Sequence, residues 1–557
     1  MKNLSKNIYT LVLIISLVGG VSCNAVKKSE PKDLALDLPF EMPNVVVPEF
    51  KTDTFNIVNY GAVSNGKFLN TEVINSTIDL CSKNNGGVVL IPKGVWLTGP
   101  IVLKNDVNLH LEGGALLQFS GDRNLYPLLD NFYEGKKNPR CQNPVSGKNL
   151  KNIAITGKGV IDGAGGAWRQ IKKGKLTEGQ WKEVVAGGGF VYNEKTWYPS
   201  ESYYNGEQLV RSGKVDYDNV DALQPYKDFF RPQLINLTQC ENVLLDGPTF
   251  QNSPSWNIHP LQCKNITVRN INVRNPWFAQ NGDGIDLESC KYGIIEDCNF
   301  DVGDDAICIK SGKDKQGRDI GVPTEYIIVR NCVVYHGHGG FVIGSEMSGG
   351  VKNMYVENCT FLGTDCGLRF KSTRGRGGVV ENIYVKGVRM TNIPTDAIRF
   401  NLYYGGKIKE DENGNIIGIT TEPITEETPC FRNFVFEDIE CYDVEKAITI
   451  NGIPEMPVQN IKIKNSKIVS NEGILLRYAK GIEIEGLSLD VKKPESIIVQ
   501  NSEDVKFVNS KVDDIDQHRV VVKGESTGNV YFDFKNVSNP KKYVKVIGTP
   551  ENNVQFK

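Results

Sequence analysis

Four short polar clusters in this chain could do chemistry. They are Asn281-Gly282-Asp283, Gly303-Asp304-Asp305, Gly337-His338-Gly339 and Arg369-Phe370-Lys371. From Asp283 through Asp304 and His338 to Arg369 the steps are 21, 34 and 31 residues, about one supersecondary unit each. Carboxylates packed together cannot all ionise easily, so one stays protonated and can serve as an acid. Hydrolysis of a glycosidic bond needs that split. A protonated carboxyl serves the leaving oxygen and a carboxylate serves the water, about 6.5–9.5 Å apart for inversion. His338 can hold a neighbouring carboxyl in the right protonation state. Arg369 and Lys371 alternate with Phe370 and so share one face, where they suit an anionic sugar.

Such residues must be brought side by side by a repeat. From Asn242 onward, short alternating strands begin at Asn242, Asn265, Gly293, Tyr326, Asn353, Asn382, Asn433, Asn460, Gly481, Asp504 and Asn529. The spacing sits near 25 residues, with one long insertion around 405–430. That period, in strands without helices, predicts an all-β parallel β-helix whose coils stack on one another. A sandwich or propeller also has regular short strands, but needs hairpin turns that these segments lack. The clusters fall 11 to 18 residues into their coils, near one corner of the stack. With coils about 4.8 Å apart, four of them span a groove under about 20 Å long. Adjacent Asp304 and Asp305 would face opposite ways in a regular strand, so a bend after Gly303 is needed to aim both at the groove. An amphipathic helix capped by Asn70 or Thr71 and running to about Lys83, with Val73, Ile74, Ile78 and Cys81 on one face, predicts an N-terminal cap on the stack.

The 557 residues balance 64 Lys and Arg against 66 Asp and Glu, which gives no sign of a nucleic-acid partner. Residues 1–23 read as a signal peptide: Lys2 and Lys6 precede the apolar run Tyr9–Val18, and small residues lead to Cys23. The pattern before Cys23 is similar to a lipobox, which makes Cys23 the candidate lipidation site and the only expected membrane contact. Residues 24–50 read as a polar linker, and 51–557 as the β-helix domain. The expected location is the periplasm or the outer membrane of a Gram-negative bacterium. The chain has 13 cysteines, without a C-x-x-C pair, and only five histidines, so a zinc site is not expected. An exported chain could form disulfides, while the apolar strand positions of many cysteines suit small buried core residues. Residues 168–232 interrupt the repeat with an aromatic-rich insertion. Its aromatics either stack on sugar faces or pack the insertion onto the helix.

The four clusters, in this order, resemble the N-T-D, D-D, G-H-G and R-I-K signature of glycoside hydrolase family 28, the polygalacturonases. Gly282 replaces Thr and Phe370 replaces Ile; the chemical residues are kept. The flanks Gly339–Gly350 and Arg374–Gly378 resemble the exo-acting bacterial branch. The resemblance implies a right-handed parallel β-helix and inverting hydrolysis of α-1,4-galacturonosyl bonds in pectin, with neither metal nor cofactor. It implies Asp304 as general acid, Asp283 and Asp305 activating water, His338 tuning the acid, and Arg369 and Lys371 binding the substrate carboxylate. The family tyrosine maps to Tyr403 or Tyr404, of which Tyr403 is the expected one. Trp256 and His259, one coil before Asp283, are candidate groove residues, with core packing the rival for Trp256. The insertion is expected to close the non-reducing-end side and make the enzyme exo-acting. A family member acting on rhamnogalacturonan or substituted pectin is the alternative. A β-helix lyase would want a calcium-binding acid cluster, and a non-catalytic β-helix would not need every acid.

Overall fold

The computed structural model describes residues 38–406, 408–411, 416–513 and 519–557. Cys23, the leader and most of the expected linker lie outside them. The compact unit begins at Phe40, earlier than residue 51. Phe40 packs against Tyr326 and Tyr384, with ring centroids 6.0 and 6.1 Å away, so this part of the expected tether lies on the stack.

The strands pair in parallel, each with its counterpart one coil on. Glu241–Asp246, Lys264–Arg269, Lys291–Glu296, Thr324–Arg330 and Val351–Glu357 form one wall. Ile258–Leu261, Ile285–Glu288, Asp305–Lys310, Gly339–Ile343 and Leu368–Lys371 form the wall that carries the clusters. A third set of two to four residues, such as Asn299–Asp301 and Val333–His336, closes each coil. The inward residues join one continuous core from Ile57 to Val554. No strand can bury its apolar row without the next coil, which is why the stack holds together as a unit.

The Asn that leads each strand has a backbone reason. Asn152, Asn242, Asn265, Asn353, Asn382, Asn433 and Asn460 all have φ between 50° and 60°. Asn tolerates this left-handed conformation better than most residues. Their side chains also form ladders between coils: Asn242 Nδ2 donates to Asn152 Oδ1 (2.8 Å) and Asn265 Nδ2 to Asn242 Oδ1 (2.9 Å). In one coil the left-handed residue is Tyr292 (φ 59°), one before the expected Gly293.

The capping helix spans Thr71–Lys83 and buries Ile74, Thr77, Ile78 and Cys81 against the first coils. Asn70 precedes it but does not cap it; its Oδ1 accepts from Val63 N (2.8 Å) and ties the incoming loop instead. All twelve described cysteines are buried and free. Several stack in register: Cys240 N donates to Cys263 Sγ and Cys263 N to Cys290 Sγ, both at 3.4 Å.

The insertion is ordered into a three-stranded sheet, a helix at Glu178–Ala186 and a second at Glu201–Arg211. Its aromatics pack largely on one another, as Tyr192 does on Tyr204 (4.8 Å) and Tyr203 on Phe229 (5.5 Å). Trp168, Leu223 and Phe230 join Tyr126, Leu128 and Cys141 in a second core. These rings anchor the insertion.

Candidate active site

One irregularity, repeated in successive coils, builds the site. In the cluster-bearing wall, Ala306 and Ile307 are adjacent yet both buried in the core. Strict alternation fails there, and Asp305 is turned to the groove side. Small residues permit this. A Cβ on the equivalent Gly340 would sit 2.5 Å from the Phe361 ring. Asp304 precedes the strand in a bend, and its Oδ1 accepts from Asp305 N (3.0 Å). The bend after Gly303 that the sequence required is therefore present. Gly282, where the family signature has Thr, also has a local cause: a Cβ there would lie 2.8 Å from Ala279 Cβ and 2.9 Å from its carbonyl oxygen.

One oxygen each of Asp283, Asp304 and Asp305 lie within 4.8 Å of one another. The charges of neighbouring cations allow it. Lys371 Nζ donates to Asp305 Oδ2 (2.6 Å) and Arg369 Nη1 to Asp305 Oδ1 (3.3 Å). Such spacing would suit a cation as well; of the three, Asp305 is the one that a lysine and an arginine meet directly among the described residues. Phe370, between them, faces inward and stacks on Phe400 (4.6 Å), which fixes the outward direction of both cations.

The three carboxyls have different environments. Burial pushes Asp305 up, but Lys371, Arg369 and Lys310 outweigh it and hold it down at about 2. Burial and the carboxylates of Asp286 and Asp304 push Asp283 well above the ordinary range, and its Oδ1 has no hydrogen-bond partner among the described residues. Asp304 is partly exposed, with its Oδ1 3.1 Å from His338 Nδ1. The hydrogen bond to Asp304 raises the His338 imidazole above its usual value, with Asp365 3.7 Å from Nε2 adding to it.

A second layer that the sequence reading missed lies beneath. Lys310 is buried, 3.0 Å from Glu346 and 3.5 Å from Asp286, with Nζ 4.5 Å from the Trp256 ring centroid. The signal was present: Asp286 and Glu288 alternate outward on the strand after Asp283, and Glu288 is in register with Lys310. Trp256 and His259 belong to this layer and do not line the groove. His259 is fully buried, with Nε2 2.9 Å from Glu288 and Nδ1 3.0 Å from Asn236 Nδ2. Trp256 is covered by Tyr133, whose ring lies 4.5 Å away.

The expected Tyr403 gives way to Tyr404. Lys371 Nζ and Arg369 Cζ lie 5.0 and 5.9 Å from the Tyr404 ring centroid, and that ring is 37% exposed. Tyr403 packs against the core with its hydroxyl buried, and lines a different groove further along the stack with Arg399 and Arg477. Two consecutive residues at a strand end face opposite ways, and a spacing of 34 or 35 residues does not say which faces out. Tyr404→Ala is expected to raise KM about tenfold with kcat within about threefold, through loss of a ring over two cations. Tyr403→Ala is expected to lower the unfolding temperature and, on a disaccharide too short to occupy that further groove, to leave KM near its original value. Steady-state kinetics with thermal melts separate the two.

The insertion meets the acids. A cavity of ≈ 480 Å³ is lined by Gln170, Lys175 and Arg211 on one side and by Trp277, Asp304 and His338 on the other. Trp277 is 57% exposed, with Lys175 Nζ 4.4 Å from its centroid.

The description "Glycosyl hydrolases family 28" matches residues 212–428, which contain all four clusters. An exopolygalacturonase from Thermotoga maritima, a solved structure, is 32% identical, with 80% of this chain and 93% of that one covered and a TM-score of 0.65. This chain belongs to glycoside hydrolase family 28. It is a glycoside hydrolase with the parallel β-helix of that family. A probable polygalacturonase of Vitis vinifera is 29% identical to this hydrolase over 423 residues, 74% of each chain. An exo-poly-alpha-D-galacturonosidase of Dickeya chrysanthemi is 29% identical over 371 residues, 65% of this chain and 58% of its own.

Proposed function

We propose that the enzyme removes galacturonate from the non-reducing end of de-esterified homogalacturonan by inverting hydrolysis of α-1,4 bonds. The observation that carries the exo reading is the cavity in which the insertion and the turn Pro276–Asn281 meet Asp304 and His338. That cavity is walled by the insertion and by the turn ahead of Asp283, and Arg369 is not among its lining residues. On the C-terminal side a groove lined by Arg399, Tyr403 and Arg477 continues along the stack, where the rest of a polyanionic chain can lie. The names of the Thermotoga and Dickeya relatives support the same reading.

In this reading Asp304 protonates the leaving oxygen. The His338 imidazolium at 3.1 Å resupplies that proton. Asp283 and Asp305 activate the water between them, with Asp305, the ionised partner, taking its proton. Both Asp305 oxygens are engaged by cations, which makes it a poor nucleophile and favours water attack over a covalent intermediate. Lys371, nearly buried, pins Asp305, while Arg369 bonds only through Nη1 among the described residues and offers its other donors to the substrate carboxylate. Export with lipid on Cys23 belongs to the same proposal, supported by the basic start, the apolar run and the small residues before Cys23.

A proton NMR time course on polygalacturonate tests both parts. Galacturonate monomer is expected from the first spectra, and as its β-anomer before mutarotation. Mixed oligomers at early times would overturn exo action, and α-anomer first would overturn inversion.

A further inference from the structure

Next to the catalytic cavity is a smaller one of ≈ 240 Å³, lined by Tyr133, Arg140, Tyr203 and Arg231, among others. The two share Gln170, Glu207, Arg211, Gln280 and Asn281 as lining residues, so they are adjoining parts of one recess. Arg140 and Arg231 are 6% and 7% exposed.

The charges in this recess do not balance. Among the described residues Arg140 makes no ion pair, and its Nε has no hydrogen-bond partner. Its guanidinium lies 3.7 Å from the Tyr133 ring centroid. A cation–π contact returns only part of what it costs to remove a guanidinium from water. Among the described residues Arg231 bonds only neutral groups: the carbonyls of Pro254 (2.8 Å) and Gln280 (3.0 Å), and Asn281 Oδ1 (2.9 Å). The carboxylates at the recess are committed elsewhere. Glu207 pairs with Arg211 (2.8 Å) and accepts from the Tyr198 hydroxyl, and Glu134 lies 3.5 Å from Lys313. Two buried guanidinium groups therefore face one cavity whose two carboxylates, Glu134 and Glu207, each pair with another cation and make no ion pair with Arg140 or Arg231 among the described residues. Tyr133 links this place to the chemistry, because it also covers Trp256, whose ring lies over Lys310 beside Asp286.

We infer that this recess binds the carboxylate of the non-reducing-terminal uronate, with Arg140 as its principal ligand and Arg231 beside it. The inference rests on the exo reading and deepens it. Exo action would then come from recognition of a charged chain end as well as from a wall. A planar guanidinium already stacked on a ring has little freedom left to lose when a carboxylate docks. A neutral terminal sugar would leave the cation buried and unpaired, so the site rejects it.

The test uses the full enzyme and two trisaccharides: tri-galacturonate, and the same molecule with only its non-reducing residue methyl-esterified. Wild-type kcat/KM is expected to be about 100-fold higher for the acid. In Arg140→Gln that ratio is expected to fall below about threefold, by loss on the acid with the ester unchanged. A structural role for Arg140 would lower both substrates together, and a ratio that survives the substitution would overturn the inference. If the variant does not fold, the wild-type ratio decides alone, because equal turnover of the two trisaccharides also overturns it. Monomer release from polygalacturonate with no discrimination between them would sink this site and leave the exo reading standing. Mixed oligomers from polygalacturonate would sink the exo reading itself.

Discussion

Asp304→Asn is expected to lower kcat on polygalacturonate by about 10³-fold, with KM little changed, because general acid catalysis contributes about 10²–10⁴. The fold should hardly notice. Asp304 is partly exposed, and its one ion pair among the described residues is with a half-exposed imidazole, an interaction of about 0–1 kcal/mol. Asn keeps an Oδ1 for the Asp305 amide. The imidazole supplies a readout besides rate. His338 is raised chiefly by its hydrogen bond to Asp304, so in the variant its titration should move back toward the ordinary histidine value. The chain has only five histidines, which makes the NMR signal assignable. The sign for stability follows. A raised histidine stabilises the fold below its unfolded pKa, and this is lost as pH rises through the folded value. The variant should therefore lose stability relative to the wild type on the acid side of that window and not above it. Residual activity above one-tenth, or an unmoved His338 titration, would remove Asp304 from the proton path.

The chain announces its fold because each coil repeats one physical demand. A left-handed residue must start each strand of one wall, and Asn meets that demand while its amide ties to the next coil. The catalytic acids were legible for a related reason: they sit at one corner, and a corner recurs at the coil period. What the sequence hid lies in directions rather than positions. Trp256 and His259 are in the coil before Asp283, but whether they face the groove depends on Tyr133, which arrives from a loop over 120 residues earlier. Tyr403 and Tyr404 differ by one residue and by a whole face. Arg140 stands in no motif, and only the folded chain brings it to Arg231. The aromatics of the insertion left sugar stacking and packing both open, and a long excursion first needs a core of its own, which several of them supply.

The Asp305–Lys371 pair carries the other large expected effect. Lys371→Met keeps roughly the side-chain volume and removes the charge. It leaves Asp305, 1% exposed, with Arg369 at 3.3 Å as its remaining direct ion pair. Breaking a buried pair from one side costs about 3–5 kcal/mol, because the partner's charge stays buried. Activity should fall as well, since Asp305 would lose the partner that most strongly holds it ionised. The pH dependence separates this cause from simple loss of packing. In the wild type Asp305 is held at about 2, below the ordinary carboxylate value. A depressed carboxylate stabilises the fold above its unfolded pKa, and this is lost as pH falls through the folded value. That contribution is about 2–3 kcal/mol at neutral pH, on the basis of about 1.4 kcal/mol per pKa unit. The stability gap between wild type and variant in urea titrations should therefore be widest above about pH 4 and should narrow as pH falls toward 2. A gap that stayed constant across that range would mean that Lys371 holds the strand by packing alone, and that the ionisation of Asp305 is set by Arg369 and Lys310.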